Sequence, residues 1–181
     1  MVRYCLEIVG SLRAAGYGLR LDEQQTGAST MVSVSPPKTN TARLAFCSRS
    51  TGRGGVDGAW WPGSSDLGAE LPDLVAVVGS MIGEVRRVVY DPSIWPPTPS
   101  RVIRRGVAIS VDPYALVTSE TLYLIGTHSR DAVLYVVPPS CNGKLANRVL
   151  GAVSESTVPM MASVVRHMLG HFAEVSGERF P

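Results

Sequence analysis

The alternation of apolar and polar positions becomes regular only beyond residue 42. Residues 43–47 (Arg-Leu-Ala-Phe-Cys) read as a first strand. Ser64 and Ser65 then offer N-caps to a helix, with Asp66 in its first turn. Leu67, Leu71, Leu74, Val75, Val78, Met81 and Ile82 follow at helical spacing and predict one apolar stripe. Pro72 lies inside it and removes one hydrogen bond, which predicts a kink or a 3₁₀-like first part. Gly83 ends this helix. A strand rich in β-branched residues is expected at 85–90, followed by the proline-rich stretch 91–100, which cannot be regular. Further strands are expected at 102–111 (bent at Gly106), 121–127 and 132–137, the last two joined as a hairpin through Thr127-His-Ser-Arg-Asp131. Pro138-Pro139 stops the sheet. A helix at 142–153 should bury Leu145, Val149, Leu150 and Val153. A last helix at 158–174 carries Met161, Val164, Val165, Met168, Leu169 and Phe172 on one side, with Pro159 tolerated in its first turn.

This order predicts an α+β fold: a mainly antiparallel sheet of about five strands with helices packed on one face. Residues 1–17 have the spacing of a short helix. Residues 22–41 are rich in Gln, Thr, Ser, Gly and Pro and read as a linker. The expected division is therefore an extension and linker over 1–41, one domain over 42–175 and a tail over 176–181. Met31, just before the first strand, is a candidate start, with 1–30 an upstream over-extension.

Composition narrows the class. The chain has 181 residues, 45% hydrophobic and 18% charged, enough apolar content for a buried core. A formal charge of +2 provides no global field toward nucleic acid or membrane. Cys5, Cys47 and Cys141 are odd in number and scattered, which fits reduced thiols and a cytoplasmic location. No apolar run reaches a membrane-spanning length, and Glu7 interrupts what would be a signal peptide's apolar region.

The most distinctive segment is Asp57-Gly-Ala-Trp-Trp-Pro62. Adjacent tryptophans on an extended segment point opposite ways. One enters a core while the other lines a surface, as a stacking platform or partner hot spot, or else both anchor the loop by burial. Asp57-Gly58 favours a tight turn in which Asp57 accepts backbone N–H bonds. Arg86, Arg87, Arg101, Arg104 and Arg105 form the densest basic group. If the strands at 85–90 and 101–105 pair, a basic patch lies beside Trp95 that suits RNA or phosphate. Period-2 alternation divides these arginines between faces, so solvated strand charges are the simpler reading. The candidate ligand or interface residues are therefore Asp57, Trp60, Trp61, Arg104 and Arg105.

Other signals are incomplete. Thr51-Gly-Arg-Gly-Gly55 matches no phosphate-binding loop, and no helix follows it directly. His167 and His171 have a chelating i, i+4 spacing, but no third ligand is near in sequence. His128 falls in a hairpin turn. Cys47 and Cys141 need a paired His to act as nucleophiles. Asp66 and Glu70, one turn apart, read as a solvated helix face. No catalytic set, metal set or cofactor is therefore assigned.

The stretch Asp57-Gly-Ala-Trp-Trp-Pro followed by Ser64-Ser-Asp-Leu-Gly-Ala-Glu-Leu-Pro-Asp-Leu74 resembles an actinobacterial, largely mycobacterial, family of a domain of unknown function. Val88-Val-Tyr-Asp91 with Trp95-Pro96, and Leu134-Tyr-Val-Val-Pro-Pro139, match it more loosely. The resemblance covers about 43–165 and implies an α+β fold with no established activity or site. Together these features suggest a non-enzymatic ligand-binding or protein-interaction domain. The alternatives are a small enzyme with its site near Asp57 and Trp61, or an RNA- or ribosome-associated factor using the basic strands. The partner is expected to be a protein or small molecule, with nucleic acid less favoured and no membrane.

Overall fold

The computed structural model describes residues 43–48, 55–115, 118–127 and 130–177. The expectations for residues 1–42, the loop 51–54, His128 and the end of the tail lie outside these residues. The elements run β1 (Leu44–Phe46), β2 (Gly58–Trp60), α1 (Leu67–Ile82), β3 (Val85–Tyr90), β4 (Arg101–Arg104), β5 (Val107–Pro113), β6 (Thr121–Gly126), β7 (Asp131–Val136), α2 (Gly143–Glu155) and α3 (Ala162–Val175).

The α+β class holds, but the sheet is larger and differently paired than the pattern predicts. Seven strands lie in the order β1-β2-β7-β6-β3-β5-β4. Two differences account for the strand count. The stretch 102–111 is a hairpin, not one bent strand: Arg105 and Gly106 both have positive φ (49° and 77°), as a tight two-residue turn requires. The short β2 was hidden inside the tryptophan motif. The sheet is also mixed. β2 runs parallel to β7 and β3 parallel to β5, while the other neighbours are antiparallel. The hairpins β4–β5 and β6–β7 obey the short-connection rule. The ten-residue connection 91–100 is long enough to place β4 outside β5, so β3 meets β5 instead of β4.

The helices are not on one face. α1 covers one face across β7, β6, β3 and β4, while α2 covers the other over β1 and β2, with α3 packed on α2. Two hydrophobic cores follow, one on each side of the sheet. The first joins Leu67, Leu71, Val78, Val88, Leu122, Leu124 and Leu134. The second joins Ala59, Tyr135, Leu145, Val149, Val165 and Leu169.

α1 is α-helical from Leu67 through Pro72, so of the two expected outcomes, a kink or a 3₁₀-like first part, the second does not occur; Pro72 forgoes only the single bond its N–H would have made to the Gly68 carbonyl. Its N-cap is Asp66, whose carboxylate accepts the Ala69 N–H at 3.2 Å. Ser64 and Gly63 instead donate to Glu70, at 2.9 and 3.0 Å. The predicted solvated pair is thus one helix cap and one loop anchor. Met81 is exposed, unlike the rest of its stripe. α2 is preceded by its N-cap Asn142, whose side-chain oxygen accepts the Leu145 N–H, and buries the four residues expected of it.

Candidate functional site

Each residue of the tryptophan motif has a structural task. The Asp57 N–H donates to the Val133 carbonyl at 2.7 Å, and its carboxylate accepts the Val133 N–H at 2.8 Å. Its carbonyl accepts the Cys47 N–H at 2.9 Å. Asp57 therefore joins the entry of β2 to β7 on one side and to the end of β1 on the other. Gly58 allows the two backbones to meet, since a Cβ there would lie 2.3 Å from the Ala45 carbonyl oxygen. Ala59 faces the second core, and Trp60 enters the first, 5% exposed. Trp60 stacks on Trp95 with ring centroids 6.0 Å apart. Trp95 anchors the proline-rich connection in the first core.

Trp61 turns to the opposite side, against Gly143 at the start of α2. The Arg43 guanidinium lies 4.1 Å from its ring centroid and donates to the Pro62 carbonyl at 3.1 Å. The tryptophans do diverge, but the chain's own arginine already occupies the stacking surface of Trp61. The indole N–H groups of Trp61 and Trp95 are buried without an acceptor among the described residues.

Arg104 and Arg105 lie in β4 and its turn, at the opposite edge of the sheet from Asp57 and Trp61. Five interstrand steps separate β2 from β4, or about 24 Å at the usual spacing. The five candidates therefore do not form one site. Arg87 and Arg101 share a face, each opposite Ser110, and Arg104 lies on the other. Arg87 pairs with Asp112 at 3.0 Å and Arg86 with Glu84 at 2.6 Å, so part of the basic group is internally neutralised.

Titratable groups around the Asp57 clasp, the hydrogen bonds that join β2 to β7 and β1, are tuned by burial. Desolvation raises Asp57 above the ordinary carboxyl range against the opposing Val133 hydrogen bond, and nearby Asp131 adds to the rise. Burial also pushes the Cys47 thiol up, reinforced by the charge of Asp57. A raised thiol stays protonated at neutral pH and is a weak nucleophile. His167 and His171 are exposed on α3. Among the described residues, no three His, Cys, Asp or Glu side chains converge to hold a metal, and no helix is long and apolar enough to cross a membrane.

A polar cluster that the pattern did not predict ties α3 to the sheet. Glu120 has φ 61°, an uncommon backbone for a side-chain-bearing residue. Its carboxylate pairs with Arg166, and its carbonyl accepts the Val136 N–H at 2.7 Å. Tyr135 beside them is buried; desolvation, and secondarily Glu120, push its phenol up to about 12 against the opposing Arg166. The salt bridge holds Arg166 charged. The cluster orients α3. Its members are far apart in sequence, so only the alternation that turns Tyr135 toward the second core could have hinted at it.

α3 departs most from expectation. Its apolar residues do not share one side. Val165, Leu169 and Ala173 are buried against the second core. Met161, Val164 and Val175 are 55%, 44% and 64% exposed, with Met168 partly buried between them. The broad predicted stripe is two stripes, one inward and one outward, and the outward one is an apolar surface rimmed by His167 and Glu174.

The chain belongs to the family of unknown function DUF5994, which it matches over residues 43–153. The matched stretch ends within α2, before α3 begins. No curated protein and no solved structure matches the chain.

Proposed function

We propose that this member of the family acts as a non-enzymatic protein-interaction domain, with the outward face of α3 as its contact surface. The observation that carries this reading is the exposure of Met161, Val164 and Val175 along one side of a helix whose other side buries Val165, Leu169 and Ala173. Exposed apolar side chains rimmed by polar groups are typical of contact surfaces. The clasp residues Asp57 and Trp60 are engaged with the protein's own backbone and core, and Arg43 covers Trp61, which favours interaction over a ligand platform. The ion pairs of Arg86 and Arg87 weigh against a nucleic-acid surface. The same reading takes the tryptophan motif as the mark of an actinobacterial family, supported by its residue-by-residue structural use. It also places the protein in the cytoplasm, supported by the reduced thiol of Cys47.

The test is photo-crosslinking in cells, with a benzophenone amino acid at position 164 and, as control, at exposed Ile94. A discrete protein adduct at 164 and none at 94 is the expected outcome. No adduct at 164 above the control overturns the reading.

A further inference from the structure

We propose that the partner on this face is a second copy of the same chain, packed through an antiparallel pair of α3 helices. This rests on the interaction reading above and names its partner. The outward positions are the N-cap residue Met161 and, within α3, Val164, Met168 (partly buried against the second core), His171 and Val175, separated by three, four, three and four residues. That alternation is the seam of a two-helix coiled contact, where apolar side chains recur every 3.5 residues. The inward stripe, Val165, Leu169 and Ala173, has the plain four-residue spacing of a helix lying on its own domain. One helix thus carries two different packing codes, and the outward one specifies another helix.

The flanking polar residues favour self-pairing in one orientation. About a twofold axis between Leu169 and Gly170, Val164 meets Val175 of the second copy, and Met168 meets its His171. The residues on the open flank of the seam are His167 and Glu174. In this register each His167 lies beside the other copy's Glu174, so the twofold generates two complementary pairs. A parallel arrangement would instead stack His171 on His171 and separate His167 from Glu174. The other flank is bounded by α2, where Arg148 lies 4.4 Å from the Phe172 ring centroid, which leaves the His167 flank open to the second copy.

The contact is short. α3 has 14 residues, and a helix pair of that length buries less than the roughly 1,200 Å² of a standard stable interface. The dimer is therefore concentration-dependent, with a dissociation constant on the order of micromolar.

Sedimentation velocity of the full chain across a wide concentration range tests this. The wild type should pass from monomer to dimer. Val164→Glu should raise the dissociation constant more than about tenfold, and Glu174→Lys should weaken the dimer by setting a lysine beside His167. His171→Leu should tighten it by placing an apolar side chain in the seam. Met81→Glu, at an exposed apolar position on α1, should leave it unchanged. Circular dichroism confirms that each variant is folded. A protein that stays monomeric throughout, or a dimer indifferent to Val164→Glu, overturns the proposal. The crosslinking at position 164 separates the two readings. An adduct of twice the chain mass supports the second copy. An adduct with a different protein retains the interaction domain and overturns self-association, and no adduct overturns both.

Discussion

The two ends of the sheet are built differently. At the β1–β2–β7 end both faces are covered, by the α1-side core on one side and α2 on the other. Leu134, Tyr135, Val136 and Val137 are consecutive and all buried. At the β5–β4 end α1 covers one face, and no described helix lies over the other. There the chain alternates: Val102 is buried, whereas Ile103 beside it is 74% exposed. The difference shows where sequence pattern is informative. A strand covered on both faces reads as a continuous apolar run, and a strand covered on one face alternates. The tryptophan motif lies at the doubly covered end, which is why it can use a tryptophan on each side.

Substitutions at the two ends should differ in cost, and the largest effect is expected in the motif. Trp60→Ala removes the ring that stacks on Trp95 in a filled core, and should cost about 4 kcal/mol in urea unfolding. A loss below about 1 kcal/mol would mean that the clasped end is loosely packed and the comparison fails.

Asp57 gives an intermediate effect with a pH signature. Asp57→Ala leaves the Val133 N–H without its side-chain acceptor and should cost about 1–2 kcal/mol. Asp57→Asn keeps an acceptor oxygen and removes the buried charge. The carboxyl is raised in the folded state, chiefly by desolvation, so the folded protein holds this proton more tightly than the unfolded chain does. The associated stability is present below the unfolded carboxyl range and is lost as pH rises through the raised folded value. Asp57→Asn should flatten this fall in unfolding free energy between acid and neutral pH. An unchanged slope would show that Asp57 is not the group responsible.

The smallest effects belong to the singly covered end. Arg87→Ala breaks a partly exposed ion pair with Asp112 and should cost between about 0.2 and 1 kcal/mol, less at high salt. Ile103→Thr should change stability by no more than about 0.5 kcal/mol. A larger loss at Ile103 in dilute protein would reveal that this face is covered after all.

The local elements were legible in the chain. Helical spacing located α1 and α2 closely, and the β6–β7 hairpin followed from its turn. β2 was missed because three residues of Gly-Ala-Trp are too few to show a period. The β4–β5 hairpin was merged because Arg-Gly is a weaker turn signal than Asn-Gly or Asp-Gly. The candidate residues were each identifiable by type, yet their grouping was not. Asp57 and Trp61 lie near one edge and Arg104 and Arg105 at the other, because strand order depends on contacts far apart in sequence.

Sequence alone therefore determined the class of fold, the main helices and the importance of the Asp57–Pro62 segment, since these depend on spacing within a few residues. Only the tertiary structure decided which strands run parallel, that helices lie on both faces, and that the apolar residues of α3 divide into an inward and an outward stripe. A periodic pattern records that side chains share a side of a helix or strand. Whether that side meets the chain's own core or faces outward is set by the remaining elements of the fold.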